Sequence, residues 1–166
     1  MNIRKLRQDD LYKRVEWMNN PKVYQSMHFD LPVELGNTIA WFERNRKNEN
    51  RIDVVFEEGG TIVAFGGLTN IEREVEKAEL YIFVDPNNQK GGIGTKATSL
   101  LCDYGFKRLG LNKIYLETNE DNIAARCVYE KCGFKLEGVL RAEYKTVDGH
   151  LLSRMYYGLL KDESLE

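Results

Sequence analysis

The stretch Gln89-Lys90-Gly91-Gly92-Ile93-Gly94-Thr95-Lys96-Ala97, QKGGIGTKA, decides how the rest of the chain is read. Behind it Ile93, Ala97, Leu100, Leu101 and Tyr104 recur on one helical face, and that run ends near Gly110. Glycines at a helix start leave backbone N–H groups open to an anion, and the helix dipole favours the negative charge. Three phosphate-binding patterns nearly fit: G-x-x-x-x-G-K-[ST], G-x-G-x-x-A and Q-x-x-G-x-G. Each implies a different protein, and the residues around the loop choose among them.

The P-loop pattern needs lysine before the hydroxyl residue, so that the lysine meets the terminal phosphates and the hydroxyl meets Mg²⁺. Here the order is Gly94-Thr95-Lys96, which turns Lys96 about 100° round the helix from that position. The dinucleotide pattern matches Gly92 to Ala97, with Glu117 about 20 residues on at the end of the next strand. Its glycines should follow a strand directly, yet Asp85–Gly91 intervene after Val84. It should also sit among βαβ repeats, whereas three meandering strands precede it and a hairpin follows.

Working outward, Asn2–Arg7 reads as a strand, and Asp9 or Asp10 as the N-cap of a helix to Trp17 that stops near Pro21. Val33–Lys47 predicts a second helix, striped by Leu35, Ile39 and Phe42. Asp53–Glu57 and Thr61–Leu68 predict a hairpin around Glu58-Gly59-Gly60, and Lys77–Val84 a third strand. Lys113–Thr118 is a strand, and Asp121–Lys131 a helix closed by Gly133. Phe134–Tyr144 and Leu151–Leu160 flank a turn at Val147-Asp148-Gly149. With no repeat or linker, residues 1–166 read as one mixed α/β domain.

The 166 residues suffice for one core, and 42% apolar with 30% charged residues is a globular balance. A net charge of −2 supplies no basic field for nucleic acid. No apolar run approaches the ~20 residues of a membrane span, and MNIRKLRQDD lacks a signal peptide's apolar stretch. The three cysteines (Cys102, Cys127, Cys132) have no metal-type spacing and read as reduced thiols of a cytoplasmic protein. His28 and His150 are too isolated to argue a metal or a triad, so no metal is expected.

Gln89, Gly92 and Gly94 occupy the positions of the acetyl-CoA signature [QR]-x-x-G-x-[GA], and the run Asn122 to Phe134, NIAARCVYEKCGF, matches N-x-x-A-x-x-x-Y-E-K-x-G-F. Both motifs, their spacing and the element order resemble the GNAT superfamily of N-acetyltransferases, over nearly the whole chain and most specifically Lys77–Phe134. The resemblance implies a mixed, mostly antiparallel, twisted sheet of about seven strands with about four helices, strands 4 and 5 splayed. It implies acetyl-CoA as cofactor, with the pyrophosphate on the amides of Gln89, Lys90, Gly91, Gly92, Ile93, Gly94 and Thr95. The pantetheine arm would run beside Leu80–Val84, and an amide near Ile82 or Phe83 would meet the thioester oxygen.

Asn122 and Tyr129 lie seven residues apart, hence about 20° apart round a helix and roughly 10 Å along it, with Ala125 between them. That small, polar and phenolic stripe suits the cofactor's reactive end, although a lone buried tyrosine is ordinarily core. The resemblance makes Tyr129 the acid for the departing thiolate and Glu79 the base, directly or through water, with Glu117 as its understudy. Alternation places Glu79 with Tyr81 and Phe83, opposite Leu80 and Ile82, and apolar neighbours should raise its pKa.

The segment WMNNP (Trp17–Pro21) resembles family members that modify ribosomal-protein N-termini or amino-sugar nucleotides. Trp17, Asn19, His28, Phe29, Glu117 and Tyr144 are candidates for the acceptor pocket, though each also suits ordinary packing. The implied acceptor is a primary amine of an amino sugar, sugar nucleotide, aminoglycoside or polyamine, or a protein N-terminus. Relatives are often dimers, so a homodimer is in view. The rival functions are a CoA-binding sensor without turnover and a nicotinamide-dependent oxidoreductase.

Overall fold

Strand alternation sorts the buried side chains into two cores, one on each side of a single sheet. In β2 (Ile52–Glu58) Val54 and Phe56 face one side and Val55 the other, as a period of two requires. The computed structural model describes residues 1–88, 91–146 and 148–164. Gln89, Lys90 and the turn residue Val147, all named above, lie outside these.

β1 (Asn2–Lys5), β2, β3 (Thr61–Glu72), β4 (Lys77–Val84), β5 (Lys113–Asn119), β6 (Lys135–Lys145) and β7 (Leu151–Leu160) form one seven-stranded sheet. Its order is β1-β2-β3-β4-β5-β7-β6, antiparallel except for β4 against β5. α4 (Ile93–Arg108) and α5 (Ile123–Lys131) cover one face, where Ala97, Leu101, Phe106, Leu116, Tyr129 and Tyr157 are buried. α1 (Leu11–Met18), α2 (Pro21–Tyr24) and α3 (Leu35–Asn45) cover the other, with Leu11, Trp17, Val23, Phe65 and Phe83.

Among the described residues there are five α-helices rather than about four, because Asn20 caps a separate short helix: its side chain accepts from Lys22 N at 3.0 Å, with Pro21 at N1. Asp10 does not cap α1. Its carboxylate accepts Arg7 N at 2.8 Å, closing a 3-10 turn, and pairs with Arg4 at 2.7 Å. No helix among the described residues is long and apolar enough to cross a membrane.

Candidate active site

β4 and β5 pair only at their start. The parallel register runs through Lys77–Lys113, Ala78–Ile114 and Glu79–Tyr115 and then ends, while β4 continues to Val84 and β5 to Asn119. Beyond Glu79 the sheet is therefore forked. Asp85 N donates to Val63 O at 3.0 Å, so in the antiparallel alternation Phe83 and Tyr81 are also bonded to β3. The N–H and C=O groups of Leu80, Ile82 and Val84 face the fork instead, a free edge onto which an extended chain can pair. Of the two amides expected at the thioester oxygen, only that of Ile82 faces the fork. Phe83 turns its main chain to β3 and buries its ring against Phe65, 5.5 Å between centroids.

At the far end of β4, Asp85–Asn88 form a turn, with Asp85 Oδ1 accepting Asn87 N at 2.9 Å. Gly91 and Gly92 follow with φ +80° and +72°, left-handed values that side chains resist. Among the described residues a Cβ at either would meet no atom within 4 Å, so the demand for glycine is conformational. Gly92 is the N-cap of α4 and cannot cap it with a side chain, and the first intrahelical bond is Lys96 N to Gly92 O. The amides of Ile93, Gly94 and Thr95 thus have no intrahelical acceptor. Ile93 offers only its amide, since its side chain is in the core. Lys96 reaches away to Glu58, 3.8 Å off, as the swapped Thr95-Lys96 order predicts.

α5 flanks the fork. Asn122 is its N-cap, Oδ1 accepting Ala125 N at 3.2 Å, so this side chain orders the helix start whatever else it contacts. Tyr129 is 8% exposed, its ring against Phe134 and Tyr157 at 5.9 and 6.4 Å. Burial pushes its pKa up to about 12, with Arg154 opposing the shift.

On the opposite sheet face, β5 and β7 present Tyr115, Glu117 and Asn119 beside Tyr156 and Arg154. The rings of Tyr115 and Tyr156 stack at 5.3 Å and 13°. Glu79 stands at the mouth of the fork, where Asn70 Nδ2 donates to its Oε2 at 2.8 Å. Asn70 sits at φ +49° in a β3 bulge, the device that aims its amide at β4. Burial lifts the Glu79 pKa above the ordinary carboxylate value; the Asn70 bond opposes this and the Glu117 charge adds to it. Glu117 itself pairs with Arg154 at 3.4 Å.

His28 closes this face, bonded through Nε2 to Asn119 Oδ1 at 3.1 Å and tilted on Tyr144 at 3.8 Å between rings. Burial and Arg154 lower its pKa, so it is neutral at pH 7 and donates from Nε2. Phe29 lies edge-on to Phe83 at 6.0 Å. Two acceptor candidates have other roles. Trp17 is 3% exposed and packs edge-on against Phe65, which makes it core. Asn19 bonds both N and O of Val33 at 2.8 Å, pinning the segment before α3.

A family model for the acetyltransferase (GNAT) domain matches residues 1–135. The chain belongs to the GNAT family. It is an acetyl-CoA-dependent N-acetyltransferase. Among this GNAT enzyme's relatives, spermidine N(1)-acetyltransferase of Escherichia coli is 29% identical over 145 residues, 87% of this chain and 77% of that protein. N-alpha-acetyltransferase RimI of Mycobacterium tuberculosis is 34% identical over 108 residues, 64% of this chain and 66% of that one. The crystal structure of spermidine N-acetyltransferase from Vibrio cholerae in complex with CoA and spermine shares the fold, with a TM-score of 0.91 at 24% identity. It covers 98% of this chain and 96% of that one.

Five residues of this GNAT site carry no motif of their own in the sequence: Asn70, Tyr115, Asn119, Arg154 and Tyr156. Alternation within KIYLETN already puts Tyr115 and Asn119 on the Glu117 face. Asn70 carries no such signal, because its aim depends on a bulge.

Proposed function

We propose that this enzyme acetylates a primary amine of a linear polyamine of the spermidine class, by direct attack of the amine on the thioester carbonyl. One observation carries the reading: the face beside the fork joins carboxylates to stacked tyrosines, and ammonium groups already dock on it. Lys77 Nζ lies 5.8 Å over Tyr115 and pairs with Glu72 at 3.2 Å; Lys113 Nζ lies 5.9 Å over Tyr156 and pairs with Glu137 at 2.5 Å. A polyamine offers the same ammonium groups on a similar aliphatic stem, so ring faces and carboxylates suit it. The relatives named spermidine acetyltransferases support this acceptor class.

In the proposed reaction the neutral amine nitrogen attacks the carbonyl carbon, and Glu79 accepts the proton that this nitrogen sheds and passes it to solvent. The Ile82 N–H receives the developing oxyanion. The C–S bond then breaks, Tyr129 hydrogen-bonds the departing thiolate, and N-acetyl polyamine and CoA leave. The loop amides from Gly91 to Thr95 would hold the pyrophosphate, with Gln89 and Lys90 extending that cradle.

Thiol release should be measured with spermidine, an amino sugar, an aminoglycoside and an N-terminal peptide. Spermidine should give the highest kcat/KM, and Tyr115→Ala should raise its KM by roughly 2- to 30-fold, the range of a cation–π contact. A peptide or sugar turned over best would overturn the acceptor assignment. Binding of CoA without acceptor-dependent release from any amine would instead make the protein a sensor.

A further inference from the structure

Four carboxylates crowd the acceptor face, and three of them have a cation of their own. Glu72 pairs with Lys77 at 3.2 Å, Glu137 with Lys113 at 2.5 Å, and Glu117 with Arg154 at 3.4 Å. Among the described residues Glu79 is held only by a neutral amide, Asn70 Nδ2 at 2.8 Å. A carboxylate gripped by a guanidinium is a poor proton acceptor, because the ion pair stabilises the ionised form.

Arg154 is built into this arrangement. It stands opposite Asn119 across β5 and β7, and Glu117 is two residues along β5 on the same face, so the pair is a cross-strand diagonal. Its Nη1 donates to Asn119 Oδ1 at 3.4 Å, and Asn119 is 2% exposed and also takes the His28 bond. The Arg154 side chain is 15% exposed and its Nε is buried without a partner among the described residues. Burying a cation this far is costly unless its charge is matched, and Glu117 is the match.

We infer that Arg154 is a positioning residue that ties up Glu117 and so leaves Glu79 as the single base for the amine. The inference rests on the acetyl-transfer reading with Glu79 as proton acceptor. Burial already lifts Glu79; the Glu117 charge pushes it further and Arg154 restrains that push. Glu117 and Arg154 act directly on Glu79, Tyr115 and Tyr156 feel its charge, and Glu72, Lys77 and Glu137 act on those two rings. Arg154 also acts on His28, on its own face of the sheet, and on Tyr129 in the opposite core. Losing the Arg154 cation leaves the Glu117 charge unbalanced beside Glu79, so Glu79 must bind its proton more tightly.

The test is kcat/KM for spermidine against pH in Arg154→Met, Arg154→Lys, Glu117→Gln, Glu79→Gln and the double variant Glu117→Gln/Arg154→Met. Arg154→Met should move the acidic limb up by about one pH unit, the low end of a charge-neighbour effect. Arg154→Lys should keep the limb near the wild type. Glu117→Gln should move it down and cost far less turnover than Glu79→Gln, which should lose at least ~100-fold. Removing Glu117 in the Arg154→Met background should bring the limb back, a rescue that a merely structural arginine would not show. An unmoved limb in Arg154→Met, no rescue in the double variant, or a Glu117→Gln enzyme as damaged as Glu79→Gln overturns the inference. If Arg154→Met does not fold, the limb of Glu117→Gln decides: a downward move supports the inference and an unmoved limb overturns it. An unimpaired Glu79→Gln enzyme overturns the parent reading and the inference with it, whatever the arginine variants do.

Discussion

Replacing Tyr129 by phenylalanine removes one oxygen and leaves the ring packed against Phe134 and Tyr157. Burial raises the phenol's pKa to about 12, whereas a free thiol titrates near about 8.5. Complete transfer of the phenolic proton to the CoA thiolate is therefore uphill by about 3.5 units, or about 5 kcal/mol at ~1.4 kcal/mol per unit. On the proposed reading Tyr129 contributes instead as a hydrogen-bond donor to a developing anion, an interaction of about 1.5–3 kcal/mol. Tyr129→Phe should then lower kcat by roughly 10- to 150-fold. Acetyl-CoA affinity by calorimetry and the thermal midpoint should stay at wild-type values.

The pH profile separates donation from full acid catalysis. A phenol near 12 puts no basic limb between pH 8 and 10, so the wild type and Tyr129→Phe should share the shape of their alkaline profiles. An unchanged kcat with a good acceptor would remove Tyr129 from the mechanism. A wild-type basic limb in that window that vanishes in Tyr129→Phe would refute the raised pKa and restore a full proton transfer.

Two further outcomes follow from the same geometry. Glu79 has its pKa raised by folding, so between its unfolded and folded values the folded state binds more protons and stability falls as pH rises. Glu79→Gln should thus match or exceed the wild-type thermal midpoint at pH 7, with the advantage gone below the unfolded value, and a clear loss at pH 7 contradicts the sign. Gly92→Ala forces a left-handed φ of +72° on a side chain, which should cost about 1–2 kcal/mol in urea unfolding and weaken acetyl-CoA binding. Unchanged values for both would show that the loop relaxes freely.

The half of the site proposed to bind acetyl-CoA was legible because it depends on local chemistry. Glycines at a helix start act within a few residues, so Gly91 and Gly92 announce themselves in the sequence, whereas Asn122 read as a helical residue and is the N-cap of α5. Some strand boundaries were legible for the same reason: Lys77–Val84 and Leu151–Leu160 are reproduced to the residue, whereas β3 runs on past Leu68 to Glu72. The proposed acceptor half is made by residues far apart in the chain, such as Glu117 with Arg154 and His28 with Asn119. Trp17 shows the converse: beside WMNNP it suggested a pocket, yet a period of three to four from Leu11 and Arg14 put it on the buried stripe of α1. A motif's neighbours share its sequence address without sharing its chemistry.

On the proposed reading β4 carries both chemical poles, and their spacing along the strand has a consequence. Glu79 and Ile82 are three positions apart, about 10 Å in an extended strand. An amine attacking a carbonyl whose oxygen rests on the Ile82 amide is held near that residue, while a direct proton transfer needs an approach of about 2.6–3.2 Å. A carboxylate three residues back spans that interval most readily through a water. A relay of this kind tolerates a change in reach, because the water shifts with the acid. Glu79→Asp should then keep kcat/KM within about 10-fold of the wild type, whereas a direct contact withdrawn by about 1 Å should lose on the order of 100-fold. Measured at the pH optimum of each enzyme, so that a moved pKa does not masquerade as lost reach, a 100-fold drop would replace the water with the carboxylate itself.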